Sequence, residues 1–247
     1  LVAGPVACSD DDSGPSPDAG VDGGNVPYAD TPYEAVNVFV GTGATGAGVG
    51  ACYPGASMPF SMVKLSPDSS TSGGGMVQFH HYSGYFYNDP KIVGFSHTHM
   101  SGIGVPGYSN IRVTPTTGWS PDKAGPLNAR AKYLKETEIG APGFYGVTFE
   151  DGLEAELTVG ERTGYHRYTW PSGTADGDAV VVLHATATLV NGEPLEGHVV
   201  IDATENRVYG WGYVDDQQGE NFRIWFDAQF DRPIVDYGVW ADEVVTD

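Results

Sequence analysis

The chain has 247 residues, including 35 glycines and 17 prolines, and only 18% of its residues are charged. This composition favours many short strands joined by tight turns over long helices. The formal net charge is −20, from 12 basic and 32 acidic residues. Such a surface repels phosphate backbones, and no basic cluster offers a local exception, so nucleic-acid binding is excluded.

The N-terminal segment opens with a small apolar run that ends in Val6-Ala7-Cys8, followed by a tract of serine, glycine, proline and aspartate. Because the tract has almost nothing to bury, we predict that residues 1–32 are a signal remnant and a disordered linker. The junction at Cys8 resembles the end of a bacterial lipoprotein signal, in which Cys8 would be lipidated and tether the protein to a membrane. The alternative is an ordinary secretory signal with an incidental cysteine. Both predict export, to the periplasm, the cell surface or the medium.

A glycine-rich stretch, GTGATGAGVG, covers residues 41–50 and contains the G-x-G-x-x-G spacing of a dinucleotide fingerprint. That fingerprint needs a helix directly after the glycines, because the helix N-terminus holds the pyrophosphate. Here further glycines follow, and then Pro54 and Pro59, so no helix begins. No Gly-Lys-Ser/Thr follows either, which excludes a P-loop. The stretch is therefore predicted to be a loop.

From residue 33 onward the pattern is mostly of period two, which predicts an all-β, antiparallel two-sheet sandwich over residues 33–247. Apolar and polar residues alternate over 153–159 after the turn signal Asp151-Gly152, and again over 224–230. The apolar run 178–183 predicts a strand covered on both sides, and 126–136 is the only helical candidate. Further strands are predicted near 60–65, 76–81, 91–96, 109–114, 163–170 and 206–214.

The densest chemistry lies between residues 79 and 104. His97 and His99 are two residues apart, so they share one face of an extended strand and could ligate a metal with His80 or His81 nearby. A cupin site would need an acidic residue at position 103, which is Ile103. The other interpretations are hydrogen bonding within a polar loop and a binding surface without metal. Further along, four polar residues are predicted to form an internal network that pins strands together: Glu161, Arg162, His166 and Arg167.

Several segments together resemble the N-terminal domain of glycoside hydrolase family 92. The first three are VNVFVGTG, YPGASMPFSMVKLSPD and SGYFYNDPKIVGFSHTHMSG, and PGFYGVTFEDGLEAELTVGERTGYHRYTWP and FRIWFDAQFDRPIVDYGVW follow in the same order. The resemblance covers roughly residues 33–240. That family comprises calcium-dependent, inverting exo-α-mannosidases. The resemblance implies a β-sandwich whose loops shape the substrate pocket, and a C-terminal (α/α)6 barrel that supplies the catalytic acid, the catalytic base and the calcium ligands.

The resemblance also implies which residues contact the substrate. The family has a tryptophan before its Ser-Gly-Tyr motif, where this chain has Phe79-His80-His81-Tyr82, so the sugar contact would differ. The residues assigned to substrate binding are Phe79, His80, His81, Tyr85, Asp89, His97 and His99. No residue of this chain is assigned to catalysis or to metal binding. The expected partners are α-mannoside glycans and the chain's own C-terminal catalytic domain, without which the chain is predicted to be inactive. The alternative is a stand-alone, non-catalytic carbohydrate-binding sandwich.

Overall fold

The computed structural model describes residues 31–43, 51–73, 76, 79–104, 106–125, 127–189, 193–215, 221–241 and 244–246. The predicted lipidation site Cys8, and the predicted linker as far as residue 30, lie outside these residues. The described part contains no helix that could cross a membrane.

Short strands make up the described structure, with four single 3₁₀ turns and no α-helix among the described residues. The 3₁₀ turns are Phe79–His81, Pro121–Lys123, Lys135–Thr137 and Asp176–Asp178. The strands are β1 Ala56–Ser57, β2 Lys64–Ser70, β3 Lys91–Ser96, β4 Arg112–Thr117, β5 Ala131–Lys132, β6 Ile139–Ala141, β7 Phe144–Thr148, β8 Glu154–Val159, β9 Gly164–Thr169, β10 Ala179–His184, β11 Glu193–Asp202, β12 Arg207–Asp215, β13 Asn221–Gln229, β14 Val239–Ala241 and β15 Val244–Thr246.

Two antiparallel sheets enclose the core. One has the order β1-β2-β3-β4-β10, with β5 also paired to β3, and the other is the meander β6-β7-β8-β9. Buried apolar side chains of both sheets meet between them, among them Leu65 and Phe95 from the first and Tyr145 and Leu157 from the second. The predicted all-β, antiparallel architecture is therefore confirmed.

Strand β8 shows how the sequence selects a face. Leu157 and Val159 are buried while Glu154 and Thr158 point outward, as the period-two pattern predicted. The turn before the strand is also where the sequence placed it, and Gly152 there has φ +87°, a conformation that favours glycine.

A third sheet, β11-β12-β13, packs against the segment that follows β10. A side chain at Gly212 would have its Cβ 2.0 Å from the carbonyl oxygen of Ala185, so only glycine permits this approach. Val208 and Val214 on one face of β12 are buried, whereas Tyr209 on the other face lies at the surface.

Three predictions about individual elements were wrong. Residues 127–136 of the predicted helix 126–136 do not form a helix, because pairing of β5 with β3 prevails over local propensity. Residues 79–81 of the predicted strand 76–81 form a 3₁₀ turn. Strand β10 pairs only with β4 among the described residues, and Val182 is its one buried side chain there, so this strand is not covered on both sides.

Candidate functional site

The candidate site is built on β2 and β3 and on the connection between them. After β2 the chain folds back over that strand, and the backbone N–H of Ser69 donates to the carbonyl oxygen of Gly84 at 2.8 Å. Gly84 has φ +85°, and a Cβ there would lie 2.2 Å from Asp68 Oδ1. Glycine at this position lets the connection lie directly on the carboxylate of Asp68.

Asp68 is the buried centre of a polar cluster. Its carboxylate accepts hydrogen bonds from Arg112 Nε at 2.6 Å and from Ser109 Oγ at 2.9 Å, and His99 Nε2 lies 3.1 Å away. Burial raises the pKa of Asp68, but the charge of Arg112 and the contact with His99 outweigh burial and hold the pKa below its ordinary value. The aspartate is therefore an ionised structural centre that joins β2, β4 and the segment between β3 and β4.

His99 is fixed through both ring nitrogens. Nδ1 donates to the carbonyl oxygen of Lys64 at 2.7 Å, while Nε2 faces Asp68 and also lies 3.1 Å from Ser96 Oγ. Its ring lies against Tyr53, with centroids 5.1 Å apart. The side chain is buried, so its polar atoms are directed to the protein interior.

A second buried cluster consists of hydrogen bonds that join the end of β2 to the segment between β2 and β3. His81 Nε2 bonds to the carboxylate of Asp89, which also accepts from Ser69 Oγ at 2.8 Å. The same hydroxyl accepts from the backbone N–H of Phe86 at 2.7 Å. These bonds hold residues 79–90 in one fold over the sheet.

Tyr85 belongs to a third group, centred on Glu138. Its hydroxyl donates to Glu138 at 2.8 Å, as does that of Tyr145 at 2.7 Å, and Lys135 Nζ lies 2.5 Å from the same carboxylate. The ammonium of Lys135 also lies 3.5 Å from the centroid of the Tyr87 ring. Burial, together with the charge of Glu138, raises the pKa of Tyr85 far above its ordinary value, so this phenol stays protonated.

His97 joins the two sheets. Its Nδ1 donates to the carbonyl oxygen of Ile111 at 2.6 Å, which leaves Nε2 to accept a hydrogen bond from His166 Nε2 at 3.0 Å. His166 Nδ1 then accepts from the hydroxyl of Tyr168 at 2.7 Å. This pattern requires both imidazoles to be neutral, and burial lowers the pKa of each.

The internal network predicted around His166 is present only in part. His166 is half-buried in it, but Arg167 pairs at the surface with Glu156, and Glu161 and Arg162 are exposed.

Phe79 and His80 lie toward the surface of this region. Phe79 is 53% exposed and lies beside Tyr82, with centroids 5.2 Å apart. His80 is half-buried and stacks on Phe86 with centroids 4.4 Å apart. The seven residues assigned to substrate binding are thus divided: Phe79 is exposed, His80 and His97 are half-buried, and the other four are buried in hydrogen-bond networks.

The buried carboxylates do not suit calcium, which the family resemblance implies for the C-terminal barrel. Calcium takes six to eight oxygen ligands. Asp68, Asp89 and Glu138 are each occupied by positively charged, imidazole or hydroxyl groups. Within the described residues, no group of three or more histidine, cysteine, aspartate or glutamate side chains could hold a metal ion.

The sequence did not point to Asp68, Arg112, Lys135 or Glu138. A charge within the strand sequences KLSPDSS and RVTPTT was the available signal, since ionised residues are rarely buried unless they are paired. Asp68 and Arg112 are 44 residues apart, and their pairing follows only from the sheet topology.

Comparison with known proteins decides the family. Residues 35–247 match the glycosyl hydrolase family 92 N-terminal domain. The chain belongs to this family. The resemblance read from the sequence is therefore confirmed.

Solved structures agree with this family assignment. A family GH92 α-mannosidase from Bacteroides thetaiotaomicron is 30% identical with a TM-score of 0.70, over 82% of this chain and 26% of that chain. A family GH92 inverting mannosidase from B. thetaiotaomicron VPI-5482 is 25% identical with a TM-score of 0.68, over 86% of this chain and 27% of that chain.

A curated sequence, an uncharacterized secreted glycosidase from Arthroderma benhamiae, is 28% identical over 146 residues, or 57% of this chain and 18% of that protein. This chain therefore spans about a quarter or less of the length of these three relatives.

Proposed function

We propose that this family 92 domain is the N-terminal, pocket-shaping part of an exported, inverting α-mannosidase that acts on α-mannosides of glycans. Its catalytic acid, catalytic base and calcium ligands would lie in the C-terminal domain, outside this chain. Family membership and the two mannosidase structures support the substrate class. The secreted relative and the N-terminal sequence support export.

One observation supports the assignment of catalysis to the C-terminal domain. The buried carboxylates of the candidate site already bind positively charged, imidazole or hydroxyl groups of the protein. Inversion needs a protonated carboxyl group, and about 6.5–9.5 Å away a carboxylate that activates water. Asp68 is ionised between Arg112 and His99, Asp89 is held by His81 and Ser69, and Glu138 is held by Lys135 and two tyrosines. A carboxylate in such a network is not free to exchange protons with a substrate or a water molecule.

Within the site we propose two roles. Phe79 and His80, which lie toward the surface, present an aromatic face and a ring nitrogen to the sugar. The other five residues support the site from the protein interior, since their polar atoms form hydrogen bonds within the protein; they are His81, Tyr85, Asp89, His97 and His99. A sugar ring suits such a surface because its C–H face is apolar while its edge carries hydroxyls, matching an aromatic residue with a polar neighbour.

Mannose release tests the proposal. The complete polypeptide should hydrolyse α-linked mannobioses, and chelation should abolish the release until calcium is restored. Residues 33–247 alone should give no release with or without calcium, because positioning without the reacting groups gives no turnover. Calcium-dependent release by residues 33–247 would overturn the division of labour, and a complete polypeptide without activity on any α-mannobiose would overturn the function.

The alternative, a stand-alone carbohydrate-binding sandwich, also has one observation in its favour. The outer face of the third sheet carries Trp211 and Trp225 beside each other, with centroids 6.1 Å apart, and Trp225 is 68% exposed. Exposed aromatic surface of this kind marks an interaction site. Mannan binding that is lost in Trp225→Ala and retained in Phe79→Ala would support this alternative, and the reverse result would support the proposed pocket.

The proposed tether is tested separately. A lipoprotein would carry acyl groups at Cys8, because stable membrane anchoring requires more than one lipid chain. Intact-mass analysis of the native protein should show an acylated Cys8 as the first residue. An unmodified Cys8 thiol, or cleavage elsewhere, would leave export without a lipid anchor.

A further inference from the structure

The tip of the β1–β2 hairpin carries the most exposed aromatic side chain among the described residues. Phe60 is 99% exposed, and its neighbours in sequence Met58 and Met62 are exposed as well. Three large apolar side chains within five residues therefore project into solvent. A single exposed apolar residue needs no explanation, but a contiguous group marks a surface that another molecule covers.

Local turn chemistry does not explain the phenylalanine. The N–H of Ser61 donates to the carbonyl oxygen of Met58 at 3.1 Å, which closes a four-residue turn with Pro59 second and Phe60 third. Phe60 has φ +61°. Proline second and a positive φ third fit a type II turn, whose third position favours glycine. A bulky residue with this φ is an outlier of the kind that persists for function.

The tip is held firmly. Ser61 Oγ donates to the carbonyl oxygen of Val63 at 2.8 Å and accepts from the N–H of Met58 at 3.2 Å. The N–H of Met62 donates to the carbonyl oxygen of Glu161, in the turn between β8 and β9, at 2.8 Å. Phe60 is thus presented on a braced turn, which lowers the entropy that binding would otherwise cost.

The same hairpin adjoins the candidate site. The N–H of Lys64 donates to the carbonyl oxygen of His97, and the carbonyl oxygen of Lys64 accepts from His99 Nδ1. Phe60 is thus four residues from the strand position that anchors both histidines. A body that covers Phe60 lies next to the site, and under the proposed function the catalytic carboxylates must be brought to that place.

We propose that Phe60, with Met58 and Met62, is a docking knob that inserts into an apolar pocket of the catalytic domain of the same polypeptide. This inference rests on the proposed function, under which that domain exists. The partner is favoured because this chain spans 26% of the related mannosidase, so most of such a protein lies outside it. The knob is uncharged although the chain carries a net charge of −20, which suits an apolar pocket.

Methionine oxidation in the complete polypeptide tests the docking directly. Met62 is 71% exposed in this chain, so an uncovered Met62 should react with hydrogen peroxide nearly as fast as in the urea-unfolded protein. Docking should slow its oxidation at least about tenfold, since only opened molecules would react. Oxidation within about twofold of the unfolded rate would overturn the proposal.

A variant pair sharpens the test. Phe60→Gly places the residue that the turn prefers, so the hairpin should fold at least as well. In the complete polypeptide, Met62 of this variant should nevertheless be oxidised rapidly. The equilibrium constant for docking should fall by about 30-fold, as for removal of an interface hot spot. Ile139→Ala, which removes an exposed apolar side chain from β6, should leave Met62 protected. If Met62 is equally protected from oxidation in Phe60→Gly and in the parent, the proposal that Phe60 docks into the catalytic domain is wrong.

Mannose release is measured on the same samples, so that a failure of the docking proposal can be told apart from a failure of the proposed function. Protected Met62 in a polypeptide that releases no mannose would keep the docking and reject the proposed function. Mannose release by a polypeptide whose Met62 is freely oxidised would keep the function and reject the docking. Protection that depends on protein concentration would assign the knob to a second copy of the molecule and overturn the intramolecular partner.

Discussion

The interior and the rim of the candidate site are built on opposite principles. In the interior, Asp68, Arg112 and His99 are buried, and each forms hydrogen bonds within the protein. At the surface beside it, Phe60 and Phe79 are exposed apolar rings, and these two residues are called the rim below. A buried polar network holds the backbone in one conformation, because each buried polar group without a hydrogen bond costs free energy. An exposed aromatic ring, in contrast, can still bury apolar surface against another molecule. Under the proposed function, the histidine-rich segment is therefore the scaffold of the site, and the aromatic residues beside it are its contact surface.

Removing a charge from the interior should have the largest effect. Arg112→Met leaves the carboxylate of Asp68 buried without its main partner, and breaking a buried pair in this way costs about 3–5 kcal/mol. Urea unfolding of residues 33–247 should show this loss. Asp68→Asn combined with Arg112→Met should recover part of it, because the unpaired buried carboxylate is then gone. A loss below about 1 kcal/mol for Arg112→Met would show that the pair does not hold the site together.

Acid should weaken the histidine link between the sheets. Burial lowers the pKa of His97 and His166, so the unfolded chain binds more protons than the folded chain once the pH falls below the ordinary histidine pKa, about 6.5. Stability should be complete above that pH and should decrease below it. The slope approaches about 1.4 kcal/mol per pH unit for each histidine that stays neutral when folded.

The pH dependence has its own controls. His184, whose pKa burial lowers to about 4, adds the same trend between pH 6.5 and about 4 and should remain as background. His166→Gln should flatten the slope measured between pH 7 and 5, whereas Tyr165→Phe, at the exposed neighbouring position on β9, should leave it unchanged. If the dependence of stability on pH has the same slope in His166→Gln as in the parent, the neutral His97–His166 pair does not cause the loss of stability in acid.

Deleting one neutral hydroxyl from the interior should cost less. Tyr85→Phe removes one of the donors to Glu138, while Lys135 and Tyr145 remain, so the loss should be about 1 kcal/mol. Chemical denaturation measures it, with Tyr165→Phe as the matched change at an exposed position on β9. Equal effects of the two substitutions would mean that the Glu138 group does not stabilise the fold.

How much the sequence could foretell differs between these parts. Period two and a turn signal were sufficient for β8, because its faces depend only on the alternation of neighbours. The pairing of His97 with His166 could not be read in the same way, since the two are 69 residues apart and meet only when the sheets pack. For Asp68 the sequence pattern misleads, because a charged residue is ordinarily exposed and only the folded partners explain its burial. The exposure of Phe60 was likewise hidden, since apolar residues usually predict a core.

The smallest effect on stability is expected at the rim. Phe79→Ala removes an exposed ring whose described aromatic neighbour is Tyr82, so the free energy of unfolding should change by no more than about 0.5 kcal/mol. If the ring stacks on the sugar, KM for α-mannobiose should rise in the complete polypeptide, by about twofold to twelvefold for a contact of about 0.5–1.5 kcal/mol. Phe79→Trp, which keeps an aromatic face, should restore most of the affinity. His81→Phe should instead destabilise the domain, because it leaves Asp89 without its imidazole partner. An unchanged KM in Phe79→Ala would show that the ring does not contact the sugar. A domain unfolded by that substitution would place the ring in the scaffold with the histidines. Either result would remove the contrast between interior and rim.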